Sequence, residues 1–234
     1  MAKSDKTAKA GKKADGKKAG KADKADKAAR KAAAAAATPA KAKETLVSPL
    51  APARFPDLPV IEGVEFAAAS AGIKYQGRTD VMLVRLAPGT AIAGAFTRSS
   101  TRAACVLDCQ DKLKGAQDSA GGAAIIVNSG NANAFTGAEG QRSVDRVTGA
   151  VAKALGVPAR RVFSSSTGVI GEPLPAQRIV DVTEALAASL RPDGIADAAR
   201  AIMTTDTFPK GSYAEAQIDG VTVRIGGICK GSGM

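Results

Sequence analysis

Beyond residue 60 the chain alternates short apolar stretches with breaks marked by Gly and Pro. Val64–Ala68, Val81–Leu86 and Ala91–Phe96 are separated by Gly72, Gly77 and Pro88-Gly89, a rhythm that predicts a meander of strands. Ala103–Leu107 reads as a further strand. Ala123–Val127 is a continuous apolar run between Gly121-Gly122 and Asn128-Ser129-Gly130, as in a strand buried on both faces. The period then changes. Val144, Val147, Val151, Ala154 and Leu155 fall on one helical face, and Gly156 stands where such a helix should stop.

Arg161–Ser165 predicts a short strand. A second helix follows Pro175 with Ile179, Val182 and Leu186 on one side, and a third runs from about Gly194 to Met203. Ser212–Ile218 and Val221–Ile228 alternate apolar and polar residues around Asp219-Gly220, the signature of a tight β-hairpin. Strands interleaved with helices, some joined as hairpins, imply a mixed α/β layered domain. Neither a dinucleotide fingerprint nor a P-loop is present.

Composition divides the chain into three parts. Residues 1–44 are a Lys/Ala/Asp/Gly tail almost without large apolar side chains. Such a segment cannot bury enough surface to offset its ordering entropy and is expected to be a solvated, disordered extension. Residues 45–59 form a Pro-punctuated linker, and residues 60–234 form the folded domain. The formal net charge of +11 points first to nucleic acid. However, the tail carries 14 Lys and Arg against 5 Asp and Glu, whereas the rest carries 19 against 17. The basicity therefore belongs to the tail, and nucleic acid is disfavoured as a partner of the domain. The tail's Asp residues and its preference for Lys over Arg speak against an organelle presequence. No apolar run approaches the roughly 20 residues of a membrane-spanning helix. The bacterial cytoplasm is the compartment expected.

Aromatic residues make up only 3% of the chain and Trp is absent, so the core must be built from Ala, Val, Ile and Leu. There is no histidine, which excludes a Ser-His or Cys-His couple and a Cys2His2 zinc site within these residues. No metal is expected. Cys105, Cys109 and Cys229 are expected to be buried, reduced thiols.

Four segments combine small, polar and Gly residues beside an apolar element. Asn128-Ser129-Gly130-Asn131-Ala132-Asn133-Ala134 offers side-chain amides and left-handed turns, or is simply a tight connection. In Ser164-Ser165-Ser166-Thr167-Gly168-Val169-Ile170-Gly171, a hydroxyl and a backbone N–H beside an unhindered Gly can converge on a developing oxyanion, although many turns share this pattern. Met203-Thr204-Thr205-Asp206-Thr207-Phe208-Pro209-Lys210 joins hydroxyls to a carboxylate, which suits a polar amino-acid substrate or a plain helix-terminal turn. In Gly226-Gly227-Ile228-Cys229-Lys230-Gly231-Ser232-Gly233-Met234, a Lys among glycines can receive a carboxylate or a phosphate.

Taken together, six ordered blocks resemble the ornithine acetyltransferase (glutamate N-acetyltransferase) family. They are GIKYQGRTDVMLVRL (Gly72–Leu86), AGAFTRSSTRAACV (Ala93–Val106), VNSGNANAFTGAEG (Val127–Gly140), SSTGVIGEPLP (Ser165–Pro175), AIMTTDTFPK (Ala201–Lys210) and IGGICKGSGM (Ile225–Met234). The resemblance spans Val60 to Met234 and implies an α/β/β/α-type sandwich made as a self-cleaving precursor. It implies acetyl transfer from N-acetylornithine to glutamate in arginine biosynthesis, through an acetyl-Thr on the residue that begins the second, β chain. The α-amino group of that Thr can act as its general base.

By position, Thr167 and Gly168 match the family's oxyanion pair, and Thr204 and Lys230 match substrate-binding positions. Asn128 to Asn133 are expected to shape the neighbouring wall. No resident cofactor is implied, with acetyl-CoA as a co-substrate in some members. The partner implied is the β chain, in an assembly of two α and two β chains. In the family the nucleophilic Thr follows a few residues after the block that ends here at Met234, so this chain is expected to lack the attacking group. Cys105 stands where the family more often has Pro, which reads as a local loop difference. A self-processing N-terminal-nucleophile aminopeptidase is the enzymatic alternative, and binding of nucleic acid through the tail is the non-enzymatic one. Assay of N-acetylornithine against peptide amides separates the first alternative from acetyl transfer. DNA binding by a tail-deleted protein would revive the second.

Overall fold

The computed structural model describes residues 48–114 and 119–231. The expected tail and the start of the linker lie outside the described residues. Strands β1 (Val64–Ala69), β2 (Val81–Leu86), β3 (Ala123–Asn131) and β4 (Val162–Val169) form one sheet in that order. The pairs β1/β2 and β2/β3 are antiparallel, while β3/β4 is parallel and is bridged by helix α2 (Gly137–Leu155). Helix α1 (Ala104–Lys112) precedes β3. Helices α3 (Ala176–Ala188) and α4 (Ile195–Ala201) follow β4, and a separate hairpin, β5 (Lys210–Ile218) and β6 (Val221–Cys229), comes last. This is the mixed α/β layering expected.

The two-residue period of β2 divides the core. Val81 and Leu83 point to one face, where they join Ala124, Ile126 and Val162 under Val147 and Val151 of α2 and Ile179 and Leu186 of α3. Met82 and Val84 point to the other, where they meet Ala198 and Ala201 of α4, with Ile202, Phe66, Val127 and Ile228. Both faces of the central strands are therefore covered, which explains their unbroken apolar runs. Helix α2 stops at Gly156, whose φ of 65° is left-handed and whose N–H donates to the Ala152 carbonyl. In the hairpin, Asp219 (φ 51°) and Gly220 (φ 78°) provide the two positive φ angles that a type I′ turn requires.

Two expected strands are absent. Ala103–Leu107 belongs to α1. Five small and apolar residues do not distinguish a strand from a helix, and the deciding pattern lies further on, at Cys105, Cys109 and Lys112. These occupy successive turns of one face and lie along the open edge of β4. The Cys109 thiol donates to the Ser164 carbonyl at 3.2 Å and the Lys112 ammonium to the Val162 carbonyl at 2.8 Å. Burial raises the pKa of both Cys105 and Cys109, which favours the protonated form that can donate. The helix thus covers an edge that would otherwise invite pairing. Cys105 accordingly lies in the first turn of a helix rather than in a loop, a position that also tolerates Pro. Cys229 is exposed, not buried.

Ala91–Phe96 forms no strand. Helix α1 lies along β4 and Arg191 bridges Phe66 of β1, so both sheet edges are at least partly taken by other segments.

The β1–β2 connection is pinned by Asp80. Its carboxylate accepts the N–H groups of Ala71 (2.7 Å) and Ile73 (2.6 Å), its own N–H donates to Ala69, and its carbonyl receives the Ser129 N–H. Asp80 is buried, so truncation would leave two donors without partners. Asp80→Ala is expected to cost about 2–4 kcal/mol in urea denaturation, and Asp80→Asn, which keeps one acceptor, distinctly less. Equal, small losses for both would contradict this role.

Candidate active site

The polar ends of β3 and β4 continue the parallel ladder past the apolar core. Val127 pairs with Ser165, Asn128 with Ser166, Ser129 with Thr167 and Gly130 with Gly168, with a register shift at Asn131. Gly168 has φ 137°, and a Cβ built on it would lie 2.3 Å from the carbonyl carbon of Gly130. Only glycine allows the two backbones to approach so closely.

Above these strand ends opens a cleft of about 450 Å3, within the range of about 300–1,000 Å3 for small-molecule sites. Thr167, Gly168, Thr204 and Lys230 all line it. Ser129, Gly130, Val169, Ile170 and Thr205 line it too, as do Lys74, Tyr75 and Arg78 from the β1–β2 connection. Sequence reasoning did not single out these last three. Lys74 and Tyr75 stand between Gly72 and Gly77 and Arg78 follows directly, where the glycines read as turn punctuation, and only the folding of that loop over β3 brings them to the site.

The walls are held by buried carboxylates. Asp206 accepts from the Lys210 ammonium (2.8 Å), the Gly231 N–H (2.8 Å) and the Thr204 N–H (3.2 Å). It thereby ties the Thr204 turn to the Lys230-Gly231 segment. Its carboxylate faces inward and does not present itself to a substrate, contrary to the sequence expectation for this segment. Burial opposes its ionisation, but the three hydrogen bonds outweigh that effect and hold its pKa down to about 2. Arg78 reaches from the other side, donating to the carbonyls of Thr204 (3.2 Å) and Met203.

The three asparagines form a buried knot beneath the cleft rather than its lining. Asn128 donates to the Asn131 carbonyl (2.9 Å) and accepts from Ser166 Oγ (2.7 Å). Asn131 donates to the carbonyls of Glu172 and Pro173, and its Oδ1 accepts the Asn133 N–H at 2.7 Å. Asn133, at φ 47°, donates to the Gly140 carbonyl (3.0 Å).

Among the described residues, the hydroxyls of Thr167 and Thr204 and the ammonium groups of Lys74 and Lys230 have no hydrogen-bond or ion-pair partner. The only carboxylate lining the cleft among the described residues, Asp80, is committed to Ala71 and Ile73. The arrangement offers uncommitted hydroxyls beside a glycine backbone and positive charge without a free carboxylate. It is suited to receiving anionic ligands or a developing oxyanion.

Fold and cleft thus define a mixed α/β protein with a cationic small-ligand site at paired strand ends. The chain belongs to the ArgJ family, whose model matches residues 65–234. It is 64% identical over 193 residues to the arginine biosynthesis bifunctional protein ArgJ of Ruegeria pomeroyi, covering 82% of this chain and 47% of that protein. It is 52% identical over 190 residues to the protein of the same description from Nitrobacter winogradskyi, covering 81% and 46%. The chain therefore spans about half the length of the curated relatives it matches. Among solved structures it is similar to the ornithine acetyltransferase of Mycobacterium tuberculosis complexed with ornithine, with 38% identity and a TM-score of 0.66, covering 74% of this chain and 90% of that one. It is also similar to ArgJ of Bacillus halodurans, with 31% identity and a TM-score of 0.65, covering 74% and 88%.

Because the folded-state pKa of Asp206 lies below its unfolded value, the stability it contributes is present above about pH 4 and is lost as the pH falls toward 2. The depression from 3.8 to about 2 corresponds to roughly 2 kcal/mol. The stability gap between wild type and Asp206→Asn, followed by denaturant titration, is expected to narrow by that order between pH 5 and pH 2. A gap independent of pH over that range would contradict the assigned hydrogen bonds.

Proposed function

We propose that this chain supplies the oxyanion-binding and carboxylate-binding half of an acetyltransferase site that moves an acetyl group from N-acetylornithine to glutamate. The observation that carries the reading is convergence. Thr167 and Gly168 from β4, Thr204 from the turn after α4 and Lys230 from the end of β6 are distant in sequence yet line one cleft.

In this mechanism the carbonyl of the acetyl group sits over the end of β4. Attack converts it to a tetrahedral oxyanion, which the Thr167 hydroxyl and the Gly168 N–H stabilise. The same pair serves both half-reactions, because transfer onto the enzyme and transfer off it each pass through a tetrahedral oxyanion. Lys230 receives a substrate carboxylate through a charge-assisted hydrogen bond, and the Thr204 hydroxyl binds beside it. The attacking group is a Thr at the start of a second chain, freed by cleavage of a precursor, and its acetyl ester holds the acetyl group between the two amino acids.

Coverage supports the two-chain reading. The match takes in under half of the curated relatives but about nine tenths of the chain in each crystal structure, so those crystallised chains are themselves about half a relative's length. The hairpin gives independent support. Ala214, Ala216, Ile218, Val221, Val223 and Ile225 share one face by register, and all are exposed among the described residues. An isolated two-stranded ribbon is marginal in water, and the second chain is the surface that covers this one. The proposal extends, on the family resemblance alone, to acetyl-CoA as a second donor, to an assembly of two α and two β chains, and to action in the cytoplasm.

In the enzyme assembled with its second half, Thr167→Ala is expected to lower turnover by about two to three orders of magnitude, the usual size for one lost oxyanion donor, with far smaller changes in KM. Steady-state kinetics with both substrates tests this. Unchanged turnover, or an effect confined to KM, would overturn the assignment.

A further inference from the structure

We propose that Lys74 is a second carboxylate receptor, separate from Lys230, that selects a dicarboxylic amino acid as the acetyl acceptor. The inference rests on the acetyl-transfer reading and assigns the acceptor side of the same cleft.

Lys74 sits on a loop whose polar groups are already engaged. The N–H groups of Ala71 and Ile73 go to Asp80, the Gly72 carbonyl accepts from Arg178, and Arg78 holds the carbonyls after α4. The Ile73 side chain is buried in the core. Lys74 therefore starts from a fixed backbone. Its Cβ lies over Gly130, where an added methyl group would meet it at 3.1 Å. Its ammonium has no partner among the described residues, and it lines the cleft together with exposed Tyr75.

Lys74 and Lys230 come from different elements, the β1–β2 connection and the end of β6, and each can take one carboxylate. Arg78 adds a third positive charge while being bonded only to carbonyls. Such a surface favours a ligand with two carboxylates. N-acetylornithine brings one carboxylate and so can engage only one of the two lysines. Glutamate brings two carboxylates and can engage both lysines. Lys74 is thus a specificity-determining residue for the acceptor half-reaction and is dispensable for recognising the donor.

The experiment uses the assembled two-chain enzyme with Lys74→Gln and Lys74→Arg. Affinities for glutamate and glutamine are measured by calorimetry, and KM and kcat by acetyl-transfer assay. Wild type is expected to bind glutamate more tightly than glutamine by about tenfold or more, the size of one charge-assisted hydrogen bond, and Lys74→Gln to abolish that preference. In Lys74→Gln the KM for glutamate rises by the same factor, with kcat and the KM for N-acetylornithine nearly unchanged, and Lys74→Arg restores most of the difference. A preference that survives in Lys74→Gln, or equal KM increases for donor and acceptor, would overturn the proposal. A wild type that shows the binding preference but transfers no acetyl group would instead overturn the functional reading and leave the receptor standing.

Discussion

The site depends on the close approach of β3 and β4 at Gly130 and Gly168. Parallel pairing carries the two strands beyond the apolar part of the core, so their polar ends emerge side by side at the surface. A Cβ at position 168 would fall inside the Gly130 carbonyl group, so this ladder can continue only with glycine there. Once it is made, the Thr167 side chain projects into the cleft from a rigid strand, held on its far side by α1. Donors on a paired strand do not need to reorganise when charge develops, which is the condition for effective oxyanion stabilisation.

Two buried carboxylates complete the frame. Asp80 fastens the loop that carries Lys74 and Arg78, and Asp206 fastens the turns that carry Thr204 and Lys230. Each satisfies backbone N–H groups that would otherwise be costly to bury. Their placement has an electrostatic consequence. The acidic side chains nearest the cleft are committed to the scaffold, so the lining cations are left for a ligand. The asparagine knot plays a parallel role beneath β3, closing the tight exit from the strand with hydrogen bonds of its own.

The apolar periodicity made most of the elements legible. β1, β2, the α2 face ending at Gly156, α3 and the Asp219-Gly220 hairpin all lie where the pattern placed them. The failures have physical causes. β3 and β4 were expected to end at Val127 and Ser165, because Asn-Ser-Gly-Asn and Ser-Thr-Gly read as loops. They are strand ends made polar by lining or underpinning a site. Ala103–Leu107 was misread because its helical face is defined by Cys105, Cys109 and Lys112, the last two of which donate to carbonyls of a strand some 50 residues away. Thr167, Gly168, Thr204 and Lys230 were accessible through the ordered family blocks. Lys74 and the inward role of Asp206 were not, because each depends on which way a side chain turns after the loops have folded.

At the centre of the account stands a divided site. In the function proposed above, residues of this chain bind and stabilise, and an attacking Thr from a second chain carries the acetyl group. The most direct measurement is mass spectrometry of the assembled enzyme quenched after exposure to N-acetylornithine without glutamate. The account predicts one acetyl group on the N-terminal Thr of the second chain, discharged when glutamate is added. An acetyl group carried by any residue of Met1–Met234, and discharged by glutamate, would contradict it.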